Sequence, residues 1–472
     1  MSSGWKEKIY PHLPIFMQNI ACSMHGRNQR KLRYGGEFHE LLRWLEQSQW
    51  WPETTIKQYQ QDQLRKIIGH AYNTVPYYRR VFDKLKLKPD DIKTTDDLRK
   101  IPVLTKEDVR NHFEEMLSRQ FSRKGLVASH TSGTTGKSLQ FYLEPRNFQF
   151  RWAVWWRHRT RFGVEFDTRY ANFTGLTAIP LEQEEPPFWR ENRPMNQTVF
   201  TMHHITPPKV EAIVERLNKG GFEYYSGYPS IIYVLASLIR EEGLEINAPP
   251  KVIFTGAENL YENHRQLMTE VFNAPVTDEY GFSEGCGNAS RCEEDVFHED
   301  FEYGILECGD GQQIDADTRQ GKIIATGFGN YAMPFIRYEV GDVGTWKDIN
   351  CPCGRNSKVL TKINGRIEDY VLTPEGRKIL RFDYIFKDAH NVRDVQVVQK
   401  KLGAICLRIV RRSSYSASDE DVLRREIKNR ISSRLLVEFE YIDEIERESN
   451  GKIRAVKSLI KEYSNETSYS SL

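Results

Sequence analysis

The stretch that decides the fold is SHTSGTTGKSLQFYLEP, residues Ser129–Pro145. It sets Gly133 and Gly136 among hydroxyl side chains and follows them with Lys137 and Ser138. Glycine lets a backbone approach a ligand closely, and hydroxyl and ammonium groups donate hydrogen bonds, so this composition is typical of a loop that wraps an anion. GLVASH before the loop and LQFYLEP within it have strand character, which predicts a connection between two strands.

The loop differs from the phosphate loop of nucleoside triphosphatases. That motif, G-x-x-x-x-G-K-[ST], leads from a strand into a helix. Here the two glycines are three residues apart, and the loop joins strand to strand. Taken alone, the stretch fits an anion-binding loop and a plain glycine-rich hairpin equally well.

Composition limits the classes of protein to which the chain can belong. The chain has 472 residues, 39% of them hydrophobic, which is enough for a packed core and too long for one ordinary domain. The 67 Lys and Arg nearly balance the 65 Asp and Glu, and this argues against a nucleic-acid partner. No stretch reaches the ~20 apolar residues of a transmembrane segment. Seven cysteines, an odd number, and no secretory pattern predict reduced thiols and a cytoplasmic protein.

Helical periodicity dominates residues 1–124. The apolar stretch YPHLPIFMQNIACSM, residues 10–24, fits a membrane surface or burial against its own domain, and burial is the favoured interpretation. Over residues 125–365 strands alternate with helices, which predicts a core of the α/β class with parallel sheet. AIPLEQEEPPFWRENRPMNQ, residues 178–197, predicts an exposed loop.

The pattern changes again after residue 366. DVQVVQKKLGAICLRIVRR predicts a hairpin of two strands, and LVEFEYIDEI predicts a further strand. SASDEDVLRREIKNRISSRL predicts a helix with Ser418 as N-cap and Asp421 at its third position. The sequence therefore predicts a large N-terminal domain, residues 1–365, and a small α+β domain, residues 366–472.

Five motifs resemble those of the adenylate-forming superfamily, which includes acyl- and aryl-CoA ligases, luciferases and adenylation domains of peptide synthetases. In the family's order they are TSGTTGKS (131–138), DEYGFSEG (278–285), IRYEVGD (336–342), INGRIEDYV (363–371) and SNGKIRAV (449–456). One such match is weak evidence, whereas five in order favour the anion-binding interpretation of the loop. The chain departs from the family pattern at Ser283 and Val340, where the family has threonine, and at Glu368, where its hinge has aspartate.

Within the superfamily the chain is similar to the phenylacetate–CoA ligase branch, through GYPS, FTGAENL and CPCGR. Its N-terminal region, with HAYNTVPYYRRVF and IPVLTKEDVR, is similar to adenylating proteins found with capsule and surface-polysaccharide genes. The resemblance implies a large adenylation domain and a small mobile domain that carries a catalytic lysine. It also implies activation of a carboxylic acid by ATP and Mg²⁺, with release of pyrophosphate.

The resemblance implies roles for individual residues around the nucleotide. The loop residues that would hold the β- and γ-phosphates are Thr131, Ser132, Gly133, Thr134, Thr135, Gly136 and Lys137. Glu284 would hold Mg²⁺, because oxygen ligands suit that cation, and Ser283 would contact phosphate. Tyr280, followed by Gly281, would lie on the adenine. The turn lining its other side would be Gly256, Ala257 and Glu258.

Three further residues complete the implied site. Asp342 would accept hydrogen bonds from the ribose hydroxyls, and Arg366 would lie near the ribose and phosphate at the domain joint. Lys452 would be the catalytic cation that bridges the attacking carboxylate and the forming adenylate.

The sequence does not determine which molecule accepts the acyl group. CoA is the first expectation, because the phenylacetate–CoA ligase branch uses it, and an amine such as an amino sugar or amino acid is the second. A non-catalytic scaffold stabilised by zinc is an alternative of another class, and intact Lys452 and Glu284 argue against it. The sequence names neither the acid nor the oligomeric state.

Clustered cysteines predict a structural zinc site. Cys292 and His298 lie in CEEDVFH, and Cys351 and Cys353 lie in CPCGR. Three thiolates and one imidazole complete a tetrahedral Zn²⁺ site without an open position for catalysis. The competing ligands are Cys286 and Cys308. Reduced, buried thiols without metal are the alternative, and zinc is favoured over it.

Overall fold

The computed structural model describes residues 9–130, 139–175, 178–258, 260, 262–364, 371–375, 378–379, 382, 385–386, 389, 391–411, 414–443, 445 and 456–460. The chain divides into two compact units. Among the described residues, the first contains those up to His130 and from Gln140 to Asn364, and the second contains Leu139 and those from Val371 onward. Along the part of the chain that the structure describes, no helix is long and apolar enough to cross a membrane.

Helices of the first unit lie before, between and beside its strands. In chain order they are α1 (Ile15–Tyr34), α2 (Phe38–Ser48), α3 (Glu53–Thr74), α4 (Pro76–Leu85), α5 (Lys106–Asn111), α6 (Phe113–Met116), α7 (Pro145–Arg161), α8 (Pro207–Asn218), α9 (Pro229–Glu241) and α10 (Glu262–Phe272). Helices α4, α7, α8 and α9 begin at proline, whose fixed backbone suits the first turn and whose missing N–H leaves no unpaired donor there.

The strands of the first unit are β1 (Val127–His130), β2 (Gln140–Leu143), β3 (Tyr170–Thr174), β4 (Trp189–Asn192), β5 (Gln197–Thr201), β6 (Tyr224–Gly227), β7 (Val252–Gly256), β8 (Val276–Gly281), β9 (Asn288–Arg291), β10 (Phe297–Glu299), β11 (Gly304–Gln313), β12 (Thr318–Gly327), β13 (Tyr338–Lys347) and β14 (Val359–Asn364). Strands β1 and β2 pair antiparallel, with His130 opposite Gln140. This pairing confirms the two strands predicted on either side of the glycine-rich loop.

Strands β3 to β14 form one sheet of twelve strands, in the order β11-β12-β13-β14-β10-β9-β8-β7-β6-β3-β5-β4. The run from β5 through β3, β6 and β7 to β8 is parallel, and helices α8, α9 and α10 connect its strands. The remaining pairs are antiparallel. The alternation of strands and helices thus confirms the α/β class. An apolar core of buried side chains from the parallel strands and these helices supports that half of the sheet.

The second unit has a sheet of four strands in the order β19-β18-β17-β20. Its elements are β15 (Val371–Leu372), β16 (Lys378–Ile379), β17 (Val392–Lys401), β18 (Ala404–Arg411), α11 (Ala417–Arg430), β19 (Leu436–Tyr441) and β20 (Val456–Ser458). The antiparallel pair β17–β18 confirms the predicted hairpin. The predicted N-cap of α11 is wrong by two residues. Ser416 is the cap, because Asp419 accepts hydrogen bonds from its backbone N–H and its hydroxyl.

Two predictions for the first unit are wrong. The stretch at residues 178–197 is not all exposed loop, since β4 forms within it and the side chain of Arg190 is fully buried. The apolar stretch at residues 10–24 is not buried against the domain as a whole, because Phe16, Ile20 and Met24 are more than half exposed. Helix α1 does contact β4, but it does so through polar side chains.

Candidate active site

The candidate nucleotide site lies where the parallel half of the sheet ends. Gly256 is the last residue of β7, and it pairs with Glu279 near the end of β8. The carboxyl ends of parallel strands are the usual position of ligands in α/β sheets. Ala257 follows β7 with φ of +66°, a conformation that side chains with a Cβ rarely adopt and that is concentrated at functional sites. The predicted turn and Tyr280 therefore lie at one edge of the sheet.

A hydrogen bond joins two of the predicted nucleotide ligands. The Tyr280 hydroxyl donates to Oδ2 of Asp342 across 2.9 Å, although the two residues are 62 positions apart. Tyr280 is in β8 and Asp342 is in β13, so the bond links the second motif to the third. The two side chains are thus close enough to contact one ligand.

The predicted magnesium ligand is tied to the same pair of motifs. Glu284 is only 3% exposed, and its Oε1 accepts a short hydrogen bond from the hydroxyl of Tyr338, at the start of β13. The next residue, Gly285, has φ of +66°, and a Cβ on it would lie 2.9 Å from the Tyr303 hydroxyl. The backbone after Glu284 therefore needs glycine, and the carboxylate is held by a partner from another strand.

Sequence patterns do not reveal the buried arginine beside Glu284. Nη1 of Arg151, on α7, donates to the backbone carbonyl of Ser283 across 3.2 Å, and its guanidinium lies 4.7 Å from the ring centre of Phe148. Its Nε is buried without a hydrogen-bond partner among the described residues. Burial lowers the pKa of Arg151, and the nearby Tyr303 hydroxyl and Glu284 carboxylate oppose that shift. One cation on α7 thus supports the backbone of the predicted phosphate and Mg²⁺ ligands.

Gly281 is needed where β8 meets β9. It pairs with Asn288, and a Cβ on it would lie 2.4 Å from Oδ1 of Asn288. That oxygen accepts a hydrogen bond from Nε1 of Trp155 across 3.3 Å. The Asn288 side chain, rather than a turn, therefore occupies the space that a Cβ after Tyr280 would take.

The two acidic residues that open the DEYGFSEG motif have structural partners. Asp278 forms an ion pair with Arg291 on β9. Glu279 lies 3.6 Å from both Nδ1 of His158 and Nη1 of Arg159, on α7. Within this motif, therefore, the first acids hold β8 in place, and the residues after them face the candidate site.

A buried ion-pair cluster contacts β9. Arg157 is 1% exposed and donates to Asp300 across 2.5 Å and to Glu302 across 2.6 Å. Asp300 also accepts from the Ser290 hydroxyl. Burial opposes its charge, but Arg157 and Arg161 hold the pKa of Asp300 below its usual value. Sequence patterns did not reveal this cluster, because Arg157 is more than 140 positions from both of its acidic partners.

Several predicted site residues lie outside the described residues. They are the loop from Thr131 to Lys137, Arg366 and Lys452. The site as described therefore consists of the turn after β7, the end of β8 with the segment that follows it, and the third motif on β13.

The four predicted zinc ligands come together. One ligand atom from each of Cys292, His298, Cys351 and Cys353 lies within 4.8 Å of every other. Cys292 Sγ is 3.8 Å from Cys351 Sγ, and Cys353 Sγ is 3.3 Å from His298 Nε2. The competing thiols Cys286 and Cys308 are not members of this group. Three thiols and one imidazole at these separations fit a tetrahedral Zn²⁺ ion.

The surroundings of the cluster suit a bound cation. Burial, together with Arg161 and Arg355, lowers the pKa of His298 to about 4, so the imidazole is neutral and can act as a ligand. The Ser357 hydroxyl lies 3.4 Å from its Nδ1 and orients the ring. Burial raises the pKa of Cys351 to about 12, so an uncompensated thiolate is unfavourable there. A divalent cation would remove that penalty.

Comparison with known proteins agrees with this architecture. A family model described as the CapK C-terminal domain matches residues 371–459. The chain is 25% identical over 460 residues to protein CapK of Staphylococcus aureus, covering 96% of this chain and 99% of that protein. It is 24% identical over 338 residues to phenylacetate-coenzyme A ligase of Thermus thermophilus, covering 68% of this chain and 72% of that protein. The Escherichia coli enzyme of the same name is 26% identical over 334 residues, covering 66% and 71%.

Solved structures show the same fold. A crystal structure of 2-hydroxyisobutyryl-CoA ligase in the postadenylation state has a TM-score of 0.53 at 17% identity, covering 87% of this chain and 90% of that one. The same ligase in the thioesterification state has a TM-score of 0.53 at 19% identity, covering 87% and 91%.

Motifs, fold and relatives together indicate an AMP-forming ligase. The chain is similar to phenylacetate–CoA ligases over about two thirds of its length and to CapK over nearly its whole length.

Proposed function

We propose that this chain activates a carboxylic acid with ATP and transfers the acyl group to CoA. In the first step a carboxylate oxygen forms a bond to the α-phosphorus, and the bond to pyrophosphate breaks. In the second step the thiol sulfur forms a bond to the acyl carbon and AMP leaves. The observation that carries the proposal is the hydrogen bond between Tyr280 and Asp342, because it brings two motifs together at the edge of the sheet.

The proposed site meets the main physical obstacle, which is the approach of one anion to a polyanion. Each unit-charge repulsion near 4 Å costs about 4 kcal/mol at an effective dielectric of about 20. Glu284 would hold Mg²⁺, which supplies positive charge to the phosphates when bound. The glycine-rich loop and Lys137 would cradle the β- and γ-phosphates, and Lys452 would place an ammonium at the reacting oxygens. Arg151 supports this part of the site through its bond to the Ser283 carbonyl.

Side chains at the edge of the sheet would bind the nucleoside. Asp342 would accept from the ribose hydroxyls, since a carboxylate has acceptor capacity beyond the single bond from Tyr280. The ring of Tyr280 and the turn from Gly256 to Glu258 would lie on either side of the adenine. Oε2 of Glu258 accepts a hydrogen bond from the backbone N–H of Ser230, at the start of α9, which anchors that turn to the helix.

A second acceptor of the acyl group is also considered, because the relatives match different lengths of the chain. Matches to phenylacetate–CoA ligases cover about two thirds of the chain, for example 68%, whereas the match to CapK covers 96% and the C-terminal match is to the CapK family. The matches to CoA ligases thus leave part of the chain uncovered, and transfer to an amine, giving an amide, is the second candidate. A cytoplasmic location suits either acceptor.

The experiment is a screen of aryl, fatty and amino acids for pyrophosphate release in the presence of ATP and Mg²⁺. CoA and candidate amines are then added separately to the acid that responds. We expect Lys452→Ala to abolish release and Lys457→Ala, a nearby lysine on β20, to retain it. Release that needs no acid, or that survives in Lys452→Ala, would contradict the proposal.

We also infer that Cys292, His298, Cys351 and Cys353 hold a structural Zn²⁺ ion. The inference rests on the mutual approach of their four ligand atoms. Because every ligand comes from the chain, the metal would join β9, β10 and the CPCGR segment before β14 and would take no part in the reaction.

A further inference from the structure

A stripe of apolar side chains on α1 is exposed. Phe16 is 64% exposed, Ile20 is 54% and Met24 is 68%, and Met17 beside them is 41% exposed. Residues four apart lie above one another on a helix, so these side chains form one continuous face. Contiguous apolar surface of this kind marks an interaction site more often than isolated exposed residues do.

The opposite face of α1 packs against the edge strand β4 through polar groups. Gln18 Oε1 accepts from Nε of Arg190 across 2.7 Å, and Asn19 Oδ1 accepts from the backbone N–H of Glu191 across 2.9 Å. The Ser23 hydroxyl donates to the Glu191 carbonyl across 3.4 Å. A surface helix usually buries its apolar face and exposes its polar one. Helix α1 does the reverse, so packing within the chain does not account for its apolar residues.

Towards the C-terminal end of α1, the exposed face carries basic side chains. Residues 9–36 contain four Arg and Lys and no Asp or Glu. Arg27 and Lys31 are exposed and follow the apolar stripe on the same face. Neither forms an ion pair within the part of the chain that the structure describes. Arg30, by contrast, points to the packed side and binds Asp167 at 2.5 Å.

We propose that the exposed face of α1 docks on the surface of an anionic lipid bilayer. The apolar stripe enters the boundary between headgroups and acyl chains, and Arg27 and Lys31 bind the lipid phosphates. Charge complementarity favours this partner over a second copy of the chain, because α1 has no acidic residue and its face on a second copy would offer Arg27 and Lys31 no anionic partner. Docking places the ligase next to reactants or products that are held at a membrane.

The test is co-sedimentation of the full chain with vesicles of phosphatidylcholine, with and without phosphatidylglycerol. We expect partition into the anionic vesicles to be stronger by about thirtyfold, since two basic residues act together. The triple variant Phe16→Ser, Ile20→Ser, Met24→Ser should lose that binding. Arg27→Gln with Lys31→Gln should abolish the preference for phosphatidylglycerol. The matched control is the triple variant Ile314→Ser, Leu402→Ser, Leu436→Ser, whose side chains are 58%, 52% and 64% exposed.

Each outcome decides the proposal. Failure of the full chain to sediment with anionic vesicles overturns it, and so does equal binding by the α1 triple variant. A dimer in analytical ultracentrifugation that the α1 triple variant dissociates, without vesicle binding, assigns the face to contacts between copies and also overturns it. Circular dichroism and pyrophosphate release in solution establish that the variants fold. Vesicle binding requires no turnover, so its result is independent of the proposed function.

Discussion

The hydroxyl of Tyr280 donates a hydrogen bond of 2.9 Å to the carboxylate of Asp342, which joins the end of a parallel strand to a strand of the antiparallel half of the sheet. We expect Asp342→Asn to raise the KM for ATP about 10- to 100-fold, because a charged acceptor for the ribose hydroxyls is lost. Tyr280→Phe keeps the ring and should raise it less than about tenfold. A double-mutant cycle on KM measures the coupling between the two side chains. Additive effects would contradict a shared ligand contact.

Glu284 is expected to control the adenylation step. Glu284→Gln removes the negative charge proposed to bind Mg²⁺, and pyrophosphate release should fall by at least about 100-fold. Tyr338→Phe keeps the carboxylate but removes its hydrogen bond, so it should have a smaller effect that higher Mg²⁺ partly restores. Glu339→Gln, the neighbouring position on β13, is the control and should leave release unchanged. An active Glu284→Gln variant would remove this residue from the proposed metal site.

Metal analysis tests the cysteine cluster. We expect one Zn²⁺ per chain, with loss of the metal in Cys353→Ser and retention in Cys308→Ser, since Cys308 is not a member of the group. Removing the metal with a chelator should lower the free energy of unfolding by about 3 kcal/mol, for an ion supplied at about a hundred times its Kd. The measurement is urea unfolding with and without added Zn²⁺. A metal-free protein of unchanged stability would favour reduced thiols instead.

The buried ion-pair cluster should matter for stability rather than for the reaction itself. Arg157→Met leaves Glu302 buried without its cation and Asp300 with Arg161 alone at 3.6 Å, which should cost about 3–5 kcal/mol in urea unfolding. Arg79→Met breaks an exposed pair with Asp83 and should cost less than about 1 kcal/mol. Equal costs for the two substitutions would show that burial of the cluster is energetically unimportant.

Much of the fold followed from local patterns. The alternation of strands and helices predicted the parallel sheet, and the strand character around the glycine-rich loop predicted the pair β1–β2. The N-cap of α11 was misplaced, because the stretch SASD offers two serines with an acid three positions later and only the folded backbone selects Ser416. The prediction that the apolar residues of α1 are buried was also wrong, because composition does not reveal which face of a helix packs against the sheet.

The sequence by itself determined the α/β class, the order of the five motifs and the four candidate zinc ligands, because these depend on residue type and on short-range spacing. Only the tertiary structure decided that Tyr280 contacts Asp342, that Tyr338 holds Glu284, and that Arg151 supports the backbone beside it. These contacts join residues 54 to 132 positions apart. The order of strands in the sheet and the packing of α7 against the sheet bring these residues together. Local sequence patterns predict neither the strand order nor this packing.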